Sequence, residues 1–167
     1  MNKGLKLAQG EIIGLINSDD WYELNALKVI YDSFVQNGSG VYLGIQRFLE
    51  NGKEFFLERA NHEFISKKMI GHPSSFVTRD VYEKFGNFSI NYKYSSDLEL
   101  MIRFISSGVN FYYVDSIISN FSLGGASSKP QAAIESLEIL FKEKLISTQH
   151  YYKKILKNKL KILLFQK

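Results

Sequence analysis

The sequence predicts an α/β fold, a mixed sheet flanked by helices, with two further helices at its C-terminal end. Three observations predict it. Short apolar runs of strand length alternate with segments of helical period, turn-forming residues separate the two, and apolar residues make up 45% of 167 residues, enough to fill one core. A single core normally serves about 100–200 residues, so no second globular unit is required.

The elements follow in order. Asn2 to Ala8 reads as a short helix closed by Gly10, and Glu11–Ile16 as a buried strand. Asn17-Ser18-Asp19-Asp20 then breaks the apolar run. Leu27, Ile30, Tyr31 and Phe34 recur at helical spacing and mark a helix stopped by Gly38. Val41–Leu49 and Lys53–Leu57 flank Asn51-Gly52, a pair that tolerates the positive φ of a type I′ turn, so a β-hairpin is expected. Ser75–Thr78 reads as a strand and Asp80 to Phe85 as a helix ended by Gly86.

From Ser96 a stronger helix begins, with Ser96 and Glu99 forming a capping box, Leu98, Met101, Ile102 and Ile105 forming the buried stripe, and Gly108 the stop. Phe111–Val114 and Ile117 to Phe121 are two β-type runs around Asp115-Ser116. A Gly- and Ser-rich loop from Leu123 to Pro130 follows and is expected to be mobile. Ala132 to Leu145 and Tyr151 to Leu164 read as the two C-terminal helices, the second basic and amphipathic.

Composition narrows the chemistry. Without cysteine there are no disulfides, thiolate zinc sites or thiol nucleophiles, which fits a reducing cytoplasm and leaves oxygen or histidine as metal ligands. No apolar run approaches the ~20 residues of a membrane span, and no secretory leader is expected. After Glu143 the chain carries seven lysines and no acidic residue, while the body before them is slightly acidic.

Three places could carry a reaction. Asn17-Ser18-Asp19-Asp20 directly follows a strand, at the sheet end where α/β proteins bind ligands. It reads either as hard carboxylate ligands for Mg²⁺ or Mn²⁺ on a diphosphate, or as an Asx-rich turn capping the next helix. Asp97, in the first turn of its helix, is either a general base for an acceptor hydroxyl or an acid favoured by the helix dipole. Gly71-His72-Pro73-Ser74-Ser75 sets an imidazole and two hydroxyls before a strand, as a phosphate or sugar contact or as an ordinary loop histidine. Arg79 and Arg103 are weaker phosphate candidates, since Arg103 lies four residues after Glu99 and is expected to pair with it. Trp21, Tyr92 and Tyr94 either stack on a sugar or base or belong to the core.

Ala8-Gln9-Gly10-Glu11-Ile12-Ile13, Leu15-Ile16-Asn17-Ser18-Asp19-Asp20, His72-Pro73-Ser74-Ser75-Phe76 and Ser95-Ser96-Asp97-Leu98-Glu99-Leu100 stand in an order that resembles bacterial family 2 glycosyltransferases. The resemblance covers about residues 1–128 and implies a partial GT-A (nucleotide-diphospho-sugar transferase) domain there, followed by a basic amphipathic helical tail over 129–167. It implies a hexosyltransferase-type enzyme of cell-surface polysaccharide synthesis that moves a sugar from a nucleotide-sugar donor to a saccharide or lipid-linked acceptor, with inversion. Asp20 then binds the divalent metal, Asp19 lies near the ribose or sugar, His72 contacts the donor, and Asp97 is the catalytic base.

Two departures from the family stand out. The strands that carry the nucleotide-base pocket should precede residues 1–10, and the Gly124 to Ser128 loop lacks a histidine that some members use as a metal ligand. A non-catalytic GT-A remnant acting as a binding or membrane-associated module is therefore the second reading. In the tail, Tyr152, Leu156, Leu160 and Leu163 form an apolar stripe flanked by lysines. That helix either rests on the inner membrane face of a cytoplasmic protein or packs on the domain. Nucleic acid is not expected as a partner, because no basic sheet face is interleaved with aromatics.

Overall fold

The computed structural model describes residues 1–124 and 129–165, so residues 125–128 of the Gly- and Ser-rich loop, where the missing histidine was noted, lie outside the described residues. The order is α1 (Asn2–Leu7), β1 (Ile12–Gly14), β2 (Trp21–Tyr22), α2 (Ala26–Asn37), β3 (Val41–Glu50), β4 (Lys53–Arg59), β5 (Ser75–Thr78), α3 (Arg79–Phe85), α4 (Ser96–Ser106), β6 (Phe111–Ser122), α5 (Pro130–Lys142) and α6 (Thr148–Phe165), with 3-10 turns at His62–Phe64 and His72–Ser74.

The strands form one mixed sheet in the order β1-β5-β3-β6-β2, with β4 also paired to β3. The ten-residue β3 organises it. One edge runs parallel to β6, while the other pairs antiparallel with β5 over Val41–Leu43 and with β4 over Ile45–Glu50. Alternation along the strands then sorts side chains to two faces. Val41, Leu43 and Val77 enter a core with α1, α3, α4 and α5, whereas Tyr42 and Phe76 turn to the other face and pack with Ile118 beneath Ala26 and Ile30 of α2. Ile139 and Leu140 of α5 belong to the first of these cores, so the main body extends past residue 128.

Local expectations fare unevenly. The hairpin turns at Asn51 (φ 52°) and Gly52 (φ 75°), both left-handed as a type I′ turn demands. The two β-type runs around Asp115-Ser116 are one continuous strand, because a register shift against Leu43–Gln46 of β3 absorbs the polar pair. On α2 the buried positions are Ala26 and Ile30, with Phe34 packed beside them, while Leu27 and Tyr31 are 63% and 57% exposed. The small Ala26 lets the helix sit close to the sheet, which rotates the expected stripe outward. The capping box does not form: Ser95 is the N-cap, and Glu99 instead holds Arg103 at 2.9 and 3.0 Å.

Candidate functional site

A cavity of about 720 Å³ opens where β1 ends, β3 and β6 run side by side and α4 begins. Its wall includes Asn17, Asp19, Gln46, Phe48, His72, Lys93, Tyr94, Asp97, Phe121 and Ser122. A second cavity of about 310 Å³, between β3, the end of β4 and β6, contains none of the motif residues.

Asp97 is brought to the cavity by the start of α4 and is only 7% exposed. Its Oδ1 accepts the Leu98 N–H at 2.9 Å, and the positive end of the helix dipole favours its charge. Its Oδ2 lies 3.5 Å from Nδ1 of His72, whose Nε2 is 3.4 Å from Oδ1 of Asn17. His72 occupies a 3-10 turn with Pro73 fixing the backbone. The serines beside it turn inward: Ser74 and Ser75 are buried and donate to the Gly71 carbonyl at 3.1 and 2.8 Å. They brace the turn and leave the half-buried imidazole as the polar group it turns to the cavity. Glycine at position 71 leaves room for the buried Gln46 amide, since a Cβ there would stand 1.9 Å from its Oε1 and push that side chain aside.

Asp19 and Asp20 point different ways. Asp20, the expected metal ligand, has both oxygens engaged, Oδ1 with the Ser122 N–H and Oδ2 with Nδ2 of Asn17, each at 3.0 Å, and it is absent from the cavity wall. Ser122 Oγ also donates to the Asp19 carbonyl at 2.9 Å, so the acidic turn is tied to the end of β6. The Asp19 side chain is exposed, lines the cavity and has no hydrogen-bond or ion-pair partner among the described residues. Asp20 therefore serves the turn, and the Asp19 carboxylate faces the cavity.

Of the predicted residues, Asp19, His72 and Asp97 line one cavity, and Asp20 joins them from behind through Asn17. Arg79 donates instead to the Ala8 and Gly10 carbonyls, and Arg103 to those of Phe85 and Asn87 as well as to Glu99. Tyr94 reaches the cavity, whereas Trp21 and Tyr92 are absent from its wall. Asn17 entered the sequence reading only as part of the acidic turn, with no role of its own; Ser122, Lys67, Lys68 and Lys93 escaped it, because their place depends on contacts across the fold.

Residues 1–96 match the family described as Glycosyl transferase family 2. The chain belongs to that family. Its fold is the partial GT-A arrangement, as likeness to solved structures shows. The S. aureus TarS 1–349 complex with UDP-GlcNAc superposes with a TM-score of 0.62 at 16% identity, covering 98% of this chain and 52% of that one. The UDP complex of the same fragment gives 0.58 at 16%, covering 99% and 51%. A further S. aureus TarS structure gives 0.61 at 15%, covering 98% and 30%. This family 2 chain thus spans about half the length of the TarS 1–349 structures it resembles. No curated protein matches it. Among the described residues no helix is long and apolar enough to cross a membrane.

Whether a divalent ion suits this site can be judged from its donors. Among the described residues no three acidic or histidine side chains cluster as a complete cage. One free carboxylate is enough for Mg²⁺ or Mn²⁺ when substrate phosphates and water complete the shell, and Asp19 is such a carboxylate.

Proposed function

We propose that the chain forms the metal and catalytic-base side of an inverting glycosyltransferase that uses a nucleotide-sugar donor and acts in cell-surface polysaccharide synthesis. The observation that carries this reading is the joint placement of Asp97, His72 and Asp19 on one cavity wall in a family 2 chain. The UDP and UDP-GlcNAc bound by the similar TarS structures make those compounds the first donors to try.

Asp97 Oδ2 takes the proton of an acceptor hydroxyl as that oxygen bonds to the anomeric carbon, while the bond from that carbon to the donor phosphate breaks and nucleoside diphosphate departs. His72 orients the base and faces the donor. Asp19 is the better metal ligand of the acidic pair, and Asp20 fixes the turn that presents it. Asp19 would hold a Mg²⁺ or Mn²⁺ ion, which would offset negative charge on the departing diphosphate. Phe48, Tyr94 and Phe121 offer apolar faces against which a saccharide ring can lie.

The tail gives this enzyme a second surface. Helix α6 packs through Tyr151, stacked on Phe141, and Ile155, whereas Tyr152, Leu156, Leu160 and Leu163 are 49–72% exposed. An exposed apolar stripe among lysines suits the interface of an anionic bilayer, and peripheral attachment there would bring a lipid-linked acceptor to the cavity.

The second reading, a non-catalytic module, draws on one observation, that the chain spans about half of the TarS 1–349 structures. A donor screen decides between them. Nucleotide sugars are offered with Mn²⁺ to the chain, alone and with any in-frame coding sequence upstream of Met1 included, and products are read by mass spectrometry. Sugar-modified acceptor supports the enzyme, and its absence in both forms supports the module.

A further inference from the structure

The backbone that delivers Asp97 is held by a residue from another helix. Glu135, in the second turn of α5, accepts the Lys93 N–H on Oε1 at 2.6 Å and the N–H groups of Tyr94 and Ser95 on Oε2 at 2.6 and 3.0 Å. Beside it, Ser95 Oγ lies 2.8 Å from Ser136 Oγ and 3.3 Å from the Ala132 carbonyl. These three amides precede α4, where no side chain caps the helix in the usual way. Lys93, Tyr94 and Asp97 all line the larger cavity. One carboxylate therefore fixes three consecutive amides of the cavity wall, and hydrogen bonds to a charged acceptor are the strong kind.

We infer that Glu135 is a positioning residue, which locks the Lys93–Ser95 backbone so that α4 presents Asp97 to the cavity and makes α5 a working part of the site. Glu135 lies beyond the 1–96 span of the family match and is absent from the cavity wall. The inference rests on the reading of Asp97 as the base. The clamp itself can be judged separately.

Amide hydrogen exchange is measured on the full chain as wild type, Glu135→Gln and Glu135→Ala, the Gln variant keeping the volume and one acceptor oxygen. Transfer kinetics are measured in the form that is active in the donor screen. The expected result is exchange at Lys93–Ser95 faster by about 10-fold to 100-fold in Glu135→Ala, with an intermediate effect in Glu135→Gln and unchanged protection in Leu100–Phe104. In the same order kcat falls while the donor KM holds, the pattern of a misplaced base. Unchanged exchange at Lys93–Ser95, or an equal rise across the core, overturns the clamp. Faster local exchange with unchanged kcat overturns its part in catalysis. If the wild type transfers no sugar, it is the functional reading that fails, and the exchange data still decide whether the clamp exists.

Discussion

Nδ1 of His72 stands 3.5 Å from Oδ2 of Asp97, although the two residues belong to separate elements, a 3-10 turn and the start of α4. On its other side the imidazole meets Asn17, which holds Asp20, which holds the end of β6. The acidic turn and Asp97 are thus linked by one line of polar contacts. Replacing His72 with Ala removes the middle of that line, and kcat is expected to fall by about 10-fold to 100-fold, on the order of one lost polar contact to a charged group. Steady-state kinetics alongside a melting curve check this; an unchanged kcat in a folded variant returns His72 to the role of an ordinary loop residue.

The two adjacent aspartates should separate cleanly. Asp19→Asn is expected to leave the melting temperature within about 2 °C of wild type, as for a surface change of under ~0.5 kcal/mol, yet to abolish Mn²⁺-dependent binding of nucleoside diphosphate. Asp20→Ala leaves the Ser122 N–H and the Asn17 amide without their acceptor and should cost about 1–3 kcal/mol of stability. Calorimetry with Mn²⁺ and UDP, together with thermal melting, distinguishes them. The opposite pattern would make Asp20 the ligand. Chelation by EDTA should stop transfer, and added Mg²⁺ or Mn²⁺ should restore it.

Tyr22 yields a prediction about pH. Its hydroxyl is buried without a hydrogen-bond partner among the described residues, and burial pushes the phenol up to about 12. An unfolded tyrosine ionises near 10. The unfolded chain therefore loses this proton first as pH rises above about 10, and folding stability falls across the window from 10 to 12. Tyr22→Phe removes that loss and leaves no polar atom to bury, so its stability near pH 7 should equal or exceed that of wild type. Urea titrations at pH 7 and pH 11 test both statements; a destabilised Phe variant would mean that the hydroxyl has a partner after all.

The tail prediction is read by flotation. The intact chain should rise with vesicles containing phosphatidylserine at low salt and less so at high salt, since each lysine near an anionic surface contributes about 1 kcal/mol and salt screens it. Removing residues 147–167, or replacing Leu156 and Leu160 by Ser, should abolish flotation. Binding that survives the deletion assigns the membrane contact elsewhere.

What the sequence made legible was local. Ser75–Thr78, the Asn51-Gly52 turn and the start of α4 at Ser96 are set by neighbours a few residues away, and they stand where the pattern put them. Choices settled by distant contacts were not legible. Leu27 and Tyr31 fit a buried stripe as well as Ala26 does, and only closeness to Tyr42 and Ile118 across the sheet decides which face turns in. Asp19 and Asp20 are equivalent in a turn until Ser122, about a hundred residues on, takes Asp20 as its acceptor. Glu135 had no signal at all, because a glutamate in a helix is ordinary until its three backbone donors are seen.

In the proposed reaction Asp97 takes the acceptor proton of a glycosyl transfer. The most direct measurement compares wild type and Asp97→Asn in the form active in the donor screen, with transferred sugar read by mass spectrometry and donor affinity by calorimetry. Transfer is expected to fall by about 10²–10⁴-fold, the usual contribution of a general base, with donor affinity unchanged within about twofold. An Asp97→Asn protein that transfers sugar at the wild-type rate would contradict it.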